Sequence, residues 1–301
     1  VSIISHFSAA LSAAVERCER QVEVDVNLPW ALFDLGIFHL YLGRPDQGLS
    51  AYAKGICSAS EAWMIGSARS TLRDLLQHGI RLNGIEHAVS LLGLGHWVRA
   101  DARERRQAGL KLRRGPVRFG SPLLIVAGGC ANMESTFAGA LEQLRSALGQ
   151  HRGTIVSGGT HSGIADMVGQ LQEHRGRKVR TIGYVPRPTA KGLRGQLDDR
   201  YTSHRHTTGD DFSVLEPLTF WEDFLAQGGD PAKVRLIGFN GGRIAGAEYR
   251  IALTLGAHVG IVQNSGRAAD ELLSDPLWRT TPNLKRLALT DAEVRAFLAQ
   301  G

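Results

Sequence analysis

The chain has 301 residues, 43% of them apolar, and a formal net charge of +6, which suits two domains with real hydrophobic cores. Its three cysteines, Cys18, Cys57 and Cys130, are far apart and form no C-x-x-C pair, which argues against a disulfide framework or a thiolate zinc site and fits a reducing, cytoplasmic compartment. No apolar run reaches the roughly 18 residues of a membrane span, and no signal-peptide pattern opens the chain. The first residue is Val1, without a Met, and the sequence runs at once into a helical pattern, so the chain reads as a piece of a longer one, with an upstream domain left open.

The elements begin with a helical period over 5–22. From 31 to 56 the sequence reads ALFDLGIFHLYLGRPDQGLSAYAKGI, two apolar amphipathic runs joined by LGRPD. Pro29 suits the first turn of the first helix. Leu32, Leu35, Gly36, Leu42, Gly43, Gly48, Tyr52 and Ile56 fall at the packing positions of a tetratricopeptide repeat, which this segment resembles. The flanking segments keep the helical period and read as degenerate neighbours in a short stack. Residues 1–110 are therefore expected to form a helical domain, either a protein-contact module or a cap packed on the second domain. Between 99 and 118 lie eight Lys/Arg against Asp101 and Glu104, an excess equal to that of the whole chain. With Gly115, Pro116 and Gly120 at its end, residues 111–120 read as a basic linker. Aromatic residues stand only at its edges (Trp97 and Phe119), so a solvated linker is favoured over a nucleic-acid site.

Beyond residue 120, short apolar runs alternate with amphipathic ones. Strands are predicted at 123–127, 154–157, 179–184, 234–239, 259–263 and 284–289; helices are predicted at 133–148, 164–174, 217–227, 246–255 and 268–273, and from 291 onward. Near-continuous apolar strands with helical crossovers mean a parallel sheet covered on both faces, so residues 121–301 are expected to be an α/β, Rossmann-like domain. The distinctive loops, GGCAN, GGTHSG, the long 185–213 segment, FNGGRIAG and QNSGRAAD, all come after strand carboxyl ends, where ligands sit in open sheets. Glycine lets the backbone approach a ligand, and the helix behind it offers free N–H groups to an anion. The G-x-G-x-x-G fingerprint, the phosphate loop G-x-x-x-x-G-K-[ST] and G-x-S-x-G are absent, which sets aside the usual dehydrogenases, ATPases and serine hydrolases.

GGTHSGIADMVG, KVRTIGYVP, FNGGRIAGAEYRIAL and IVQNSGRAADELL, in that order, resemble the SLOG superfamily, named for the DNA-processing protein Smf and the Lonely Guy phosphoribohydrolases. Within it they are most similar to prokaryotic relatives of the cytosolic N-terminal region of melastatin-type transient receptor potential channels. The resemblance implies a nucleotide-binding domain, in many relatives a sensor of NAD-derived or cyclic nucleotide messengers. In the channels this region takes part in ADP-ribose recognition, and bacterial relatives often accompany antiphage immune effectors. Lonely Guy enzymes carry P-G-G-x-G-T-x-x-E after a strand. Here the stretch from Gln263 to Asp270 lacks the Pro and the first Gly pair, and Asp270 stands at the Glu position, followed by Glu271.

These loops supply the candidate ligand residues. Gly128, Gly129, Gly158, Gly159, Asn240, Gly241, Gly242, Ser265 and Gly266 are expected to line the ligand face, as glycine turns or their neighbours. Thr160 and Ser162 offer hydroxyls at a helix start, either to phosphate or as N-caps. Arg267 offers a guanidinium fork to phosphate or forms a surface ion pair. Glu248 reaches ribose hydroxyls or an ion pair on its own helix, and His161 stacks or hydrogen-bonds at the strand end. His204 and His206 form an H-x-H pair, but a loop closing over the ligand with Arg187, Lys191 and Arg205 is preferred to a metal site. The reading is a nucleotide-messenger sensor without cofactor or metal, acting as a homo-oligomer or through an effector. Two alternatives stay open: a nucleotide phosphoribohydrolase or NAD-cleaving enzyme using Asp270 or Glu271, and a protein-interaction scaffold.

Overall fold

The computed structural model describes residues 7–129, 134–190, 193 and 195–299. Cys130 and Asn132 of the first glycine turn, and Lys191, lie outside the described residues. The chain divides into two compact units, the first ending at Leu112 and the second beginning at Arg113.

The first unit is built of helices α1 (Ser8–Glu23), α2 (Trp30–Tyr41), α3 (Pro45–Ser58), α4 (Ala62–Gln77), α5 (Ile85–Arg99) and the short α6 (Ala102–Gln107). Leu32, Leu35, Tyr52 and Ile56 are buried between α2 and its neighbours. The α2 and α3 backbones approach closely because residue 36 has no side chain: a Cβ there would lie 2.8 Å from the Tyr52 ring. Helix α6 starts with a capping box, in which Asp101 accepts from the Arg103 and Glu104 amides and Glu104 accepts from the Asp101 amide.

The second unit contains a seven-stranded, wholly parallel sheet: β1 (Leu123–Gly129), β2 (Gly153–Ser157), β3 (Val179–Val185), β4 (Ser203–His206), β5 (Val234–Asn240), β6 (His258–Val262) and β7 (Leu284–Leu287). Their spatial order is β4-β3-β2-β1-β5-β6-β7. The order reverses between β1 and β5, as in a doubly wound, Rossmann-like α/β fold. Alternate strand residues explain the two layers. Leu124, Val126, Ile237 and Phe239 pack under α7 (Glu134–Leu148), α8 (Gly163–Arg175) and α12 (Asp291–Ala299). The other face is covered by α9 (Leu215–Ala226), α10 (Arg243–Leu255) and α11 (Arg267–Ser274). There the Tyr249 hydroxyl lies within 3.4 Å of the Ala127, Phe239 and Asn240 carbonyls, which pins α10 beneath the ends of β1 and β5.

Two expectations need correction. The 185–213 segment is not one closing loop, because β4 within it pairs with β3 and extends the sheet edge. The basic stretch is not uniformly solvated either: Phe119 packs edge-on against Phe220 and Phe224, Val117 is buried, and the Gly120 amide donates to Thr154 Oγ1 at 2.8 Å. No described helix is long and apolar enough to cross a membrane.

Candidate functional site

Crossing from β1 to β5 leaves a crevice that no helix covers, and here it is a cavity of about 470 Å³. Its walls come from the ends of β1 and β2, from β3, and from the starts of α8, α9, α10 and α11. At the floor the strands come unusually close. Gly128 has φ +152°, and a Cβ there would stand 2.1 Å from the Phe239 carbonyl oxygen on β5. Any side chain at this point would therefore part the two strands on which the crevice rests.

Strand order sorts the chemistry of the walls. On the β5–β6 side the amino termini of α10 and α11 point into the crevice, with Gly242 at the N-cap of α10 and Arg267 as the first residue of α11. From the β2 side α8 adds a third amino terminus behind Gly158, Thr160 and Ser162. Three converging helix amino termini with their aligned dipoles, and the exposed Arg267, suit this side to an anion. Asn240, Asn264 and Arg267 take positive φ values of 51°, 57° and 47° here, a conformation rare outside glycine and clustered at ligand sites. The Asn240 side chain is wholly buried, and neither of its amide atoms has a hydrogen-bond partner among the described residues.

The β3 side is different. Tyr184, Phe212, Pro217 and Phe220 supply an apolar and aromatic wall, and Glu216 and Glu248 supply two carboxyls. Glu216 is held rigidly: Thr207 Oγ1 donates to it at 2.6 Å and the Ser213 amide at 2.7 Å. Glu248 has no such donors among the described residues. Burial in the cavity, reinforced by the nearby Glu216 charge, pushes its pKa up to about 8. At neutral pH its carboxyl therefore holds a proton and can donate as well as accept.

Of the residues anticipated from sequence, Gly128, Gly129, Gly158, Thr160, Ser162, Gly242, Glu248 and Arg267 line this cavity. Others support it from behind. Ser265 Oγ donates to the Val262 carbonyl and accepts from the Asn240 amide, fixing the turn before α11. Gly266 precedes Arg267 in that turn with φ +94°, and Gly241 turns the chain after β5 with φ +91°. Gly159 packs against Gly183 and the His204 ring, away from the cavity.

Three polar candidates have structural partners. Arg205 donates to Asp223, which also accepts from Tyr184 Oη at 3.0 Å, so this guanidinium braces the wall. Arg187 pairs with Asp210. His161 stands beside the buried Asp198 and Arg200. The ligand atoms of His161, Asp166 and Asp198 lie within 4.8 Å of one another, but Arg200 reaches both carboxylates, at 2.5 and 2.6 Å, and occupies the place of a cation. The H-x-H pair is likewise engaged, His204 Nε2 with the Gly159 carbonyl at 3.0 Å and His206 Nδ1 with that of Pro186 at 2.8 Å. Asp270, the residue at the Lonely Guy glutamate position, accepts from the Asn264 and Gly266 amides, both at 2.9 Å. It shapes its own turn, and neither it nor the exposed Glu271 lines the cavity.

Sequence reasoning missed Glu216, Tyr184, Phe212 and Phe220. Of these only Glu216 carried a signal, as an acid in the first turn of a helix that comes after a strand-end segment.

The second unit is thus a doubly wound α/β protein with a two-sided cavity at its topological switch point. No family model matches the chain, and no curated protein matches it. Among solved structures it is similar to TM1055, a structural-genomics target, with 17% identity and a TM-score of 0.44 over 60% of this chain and 99% of that one. It is also similar to the molybdenum cofactor carrier protein of Chlamydomonas reinhardtii, with 18% identity and a TM-score of 0.42 over the same shares. Likeness at this level concerns the course of the backbone and carries nothing about the ligand.

Proposed function

We propose that the second unit binds a nucleotide-derived messenger, of the ADP-ribose or cyclic nucleotide kind, and that occupancy controls assembly of the protein or an attached effector. The observation that carries this reading is the division of the cavity. A phosphate fits the side with three helix amino termini and Arg267, whereas ribose hydroxyls and a base fit the side with Glu216, Glu248 and the aromatic wall. The ordered SLOG-like motifs support the same reading, including a place in bacterial antiphage defence. The helical unit, with its tetratricopeptide-like segment, then serves protein contact. A signal requires the ligand to favour one conformation or oligomer over another.

The test is thermal unfolding of the chain with ADP-ribose, cyclic nucleotides and adenine or guanine mononucleotides, beside native mass spectrometry. Ligand at about a hundred times its Kd should add roughly 2.7 kcal/mol of stability. A panel with no shift in melting and no bound mass would sink the proposal.

One observation favours a second reading. A protonated Glu248 beside Glu216 is a pair of carboxyls in unlike environments, an arrangement suited to acid-assisted cleavage of an N-glycosidic bond. Glu248→Gln separates the two: in a sensor it retains ligand and no free base is released by either form, whereas in a hydrolase it abolishes a base release that the unaltered chain performs.

A further inference from the structure

The helical unit holds a cleft of its own, of about 400 Å³, walled by α4, α5 and the residues around α6. Arg69, Arg73 and His96 line it, with Trp63 at the rim, its side chain 59% exposed. Arg69 and Arg73 are four residues apart on α4 and so share one face of the helix. Burial and the Arg73 charge both press on Arg69 and lower its pKa, so the pair is held together against its own repulsion. The Arg69 Nε is buried with no hydrogen-bond partner, and among the described residues neither guanidinium has an ion pair. Glu104 also lines the cleft, but it accepts from the Asp101 amide at 2.7 Å in the capping box.

The packing is arranged around these groups. A Cβ on Gly66 would lie 2.7 Å from the His96 ring, and one on Gly93 would lie 3.2 Å from the Arg69 guanidinium. Both positions are inside helices, where glycine is the poorer former. Here it leaves room for an imidazole and a guanidinium at the edge of an open space.

We propose that this cleft is a second ligand site, which takes a small phosphorylated molecule. Its dianionic phosphate bridges Arg69 and Arg73, and its planar part lies on Trp63. Against the two guanidinia stands one carboxylate, that of Glu104, already held in the capping box, and a phosphate monoester offers the pair a dianion where a second carboxylate offers a single charge. The planar forks match phosphate oxygens, and the indole face accepts a flat group.

Phenyl phosphate is the probe, titrated calorimetrically into the full chain carrying Arg267→Ala, so that anion binding at the strand-end cavity is weakened. One binding event is expected, at least tenfold weaker after Arg69→Gln or Arg73→Gln. Benzoate should bind at least tenfold more weakly than phenyl phosphate. Trp63→Ala should weaken phenyl phosphate and leave inorganic phosphate unchanged. Arg73 is exposed, so Arg73→Gln tests the site even where Arg69→Gln disturbs the packing. Absence of any binding event would overturn the proposal, as would unchanged affinity in Arg73→Gln. Benzoate as tight as phenyl phosphate would remove the dianion from it, and phenyl phosphate indifferent to Trp63→Ala would remove the planar contact.

Discussion

Glu248 makes the most direct pH signature. Its carboxyl is proton-bound in the folded chain up to about pH 8, whereas an unfolded glutamate loses its proton near 4.5. Between those values the folded state holds the extra proton, so this contribution to stability is full below about pH 4.5 and is lost as pH rises through about 8. Glu248→Gln should therefore melt higher than the unaltered chain at pH 9, with the advantage fading by pH 4 in scans monitored by circular dichroism. On the anion side, Arg267→Ala deletes a charge-assisted hydrogen bond, about 1.5–3 kcal/mol or a tenfold to hundredfold loss of nucleotide affinity, smaller at high salt. Gly242→Ala should weaken binding without removing charge, since the new Cβ would meet Arg267 Nη2 at 2.9 Å and displace the fork. Calorimetry at two salt concentrations distinguishes the two effects. By contrast, Arg200→Ala should leave affinity nearly intact while destabilising the fold by about 3–5 kcal/mol, because it strands the buried Asp198 carboxylate. Denaturant unfolding reads that difference.

At the scale of elements, strand–turn–helix units were legible because their cause is local. An apolar, β-branched run such as LLIV or TIV needs a buried sheet, a Gly pair lets the chain turn, and the next amphipathic run supplies the helix; β1, β2 and β5 and the helices behind β2 and β5 obey this rule, and β6 does so with Asn264 and the single Gly266 in place of the pair. β4 was not legible. Ser203–His206 is a polar tetrapeptide, SHRH, whose extended form is stabilised by pairing with β3 and by ring contacts to backbone carbonyls. The basic stretch behaved in two ways for a similar reason. Helix α6 has no buried residue, whereas the segment ending at Gly120 is anchored through Phe119 and Thr154. Limited trypsin digestion should therefore cut first between Arg103 and Arg114 and spare Arg118, with the sites read by mass spectrometry of the fragments. A first cut at Arg118 would mean that the Phe119 anchor is weak.

For the whole molecule, the fragment beginning near Arg113 should melt cooperatively and keep the nucleotide-induced shift of the intact chain, since every wall of the strand-end cavity lies within it. Calorimetric melting of the purified fragment checks this, and a fragment that binds nothing would place part of the site in the helical unit. The sequence by itself determined the α/β class, the carboxyl-end loops and the glycine–arginine side of the cavity, because turns, dipoles and backbone approach depend on residues adjacent in the chain. Only the tertiary structure decided which charges are free to meet a ligand. Arg205 finds Asp223, Arg200 finds Asp166 and Asp198, and Asp270 turns to its own loop, while Glu216 and Glu248 come together from separate helices. Most of these pairings join residues distant in sequence. They are settled by the order in which parallel strands lie side by side, and a linear pattern of charges does not encode that order.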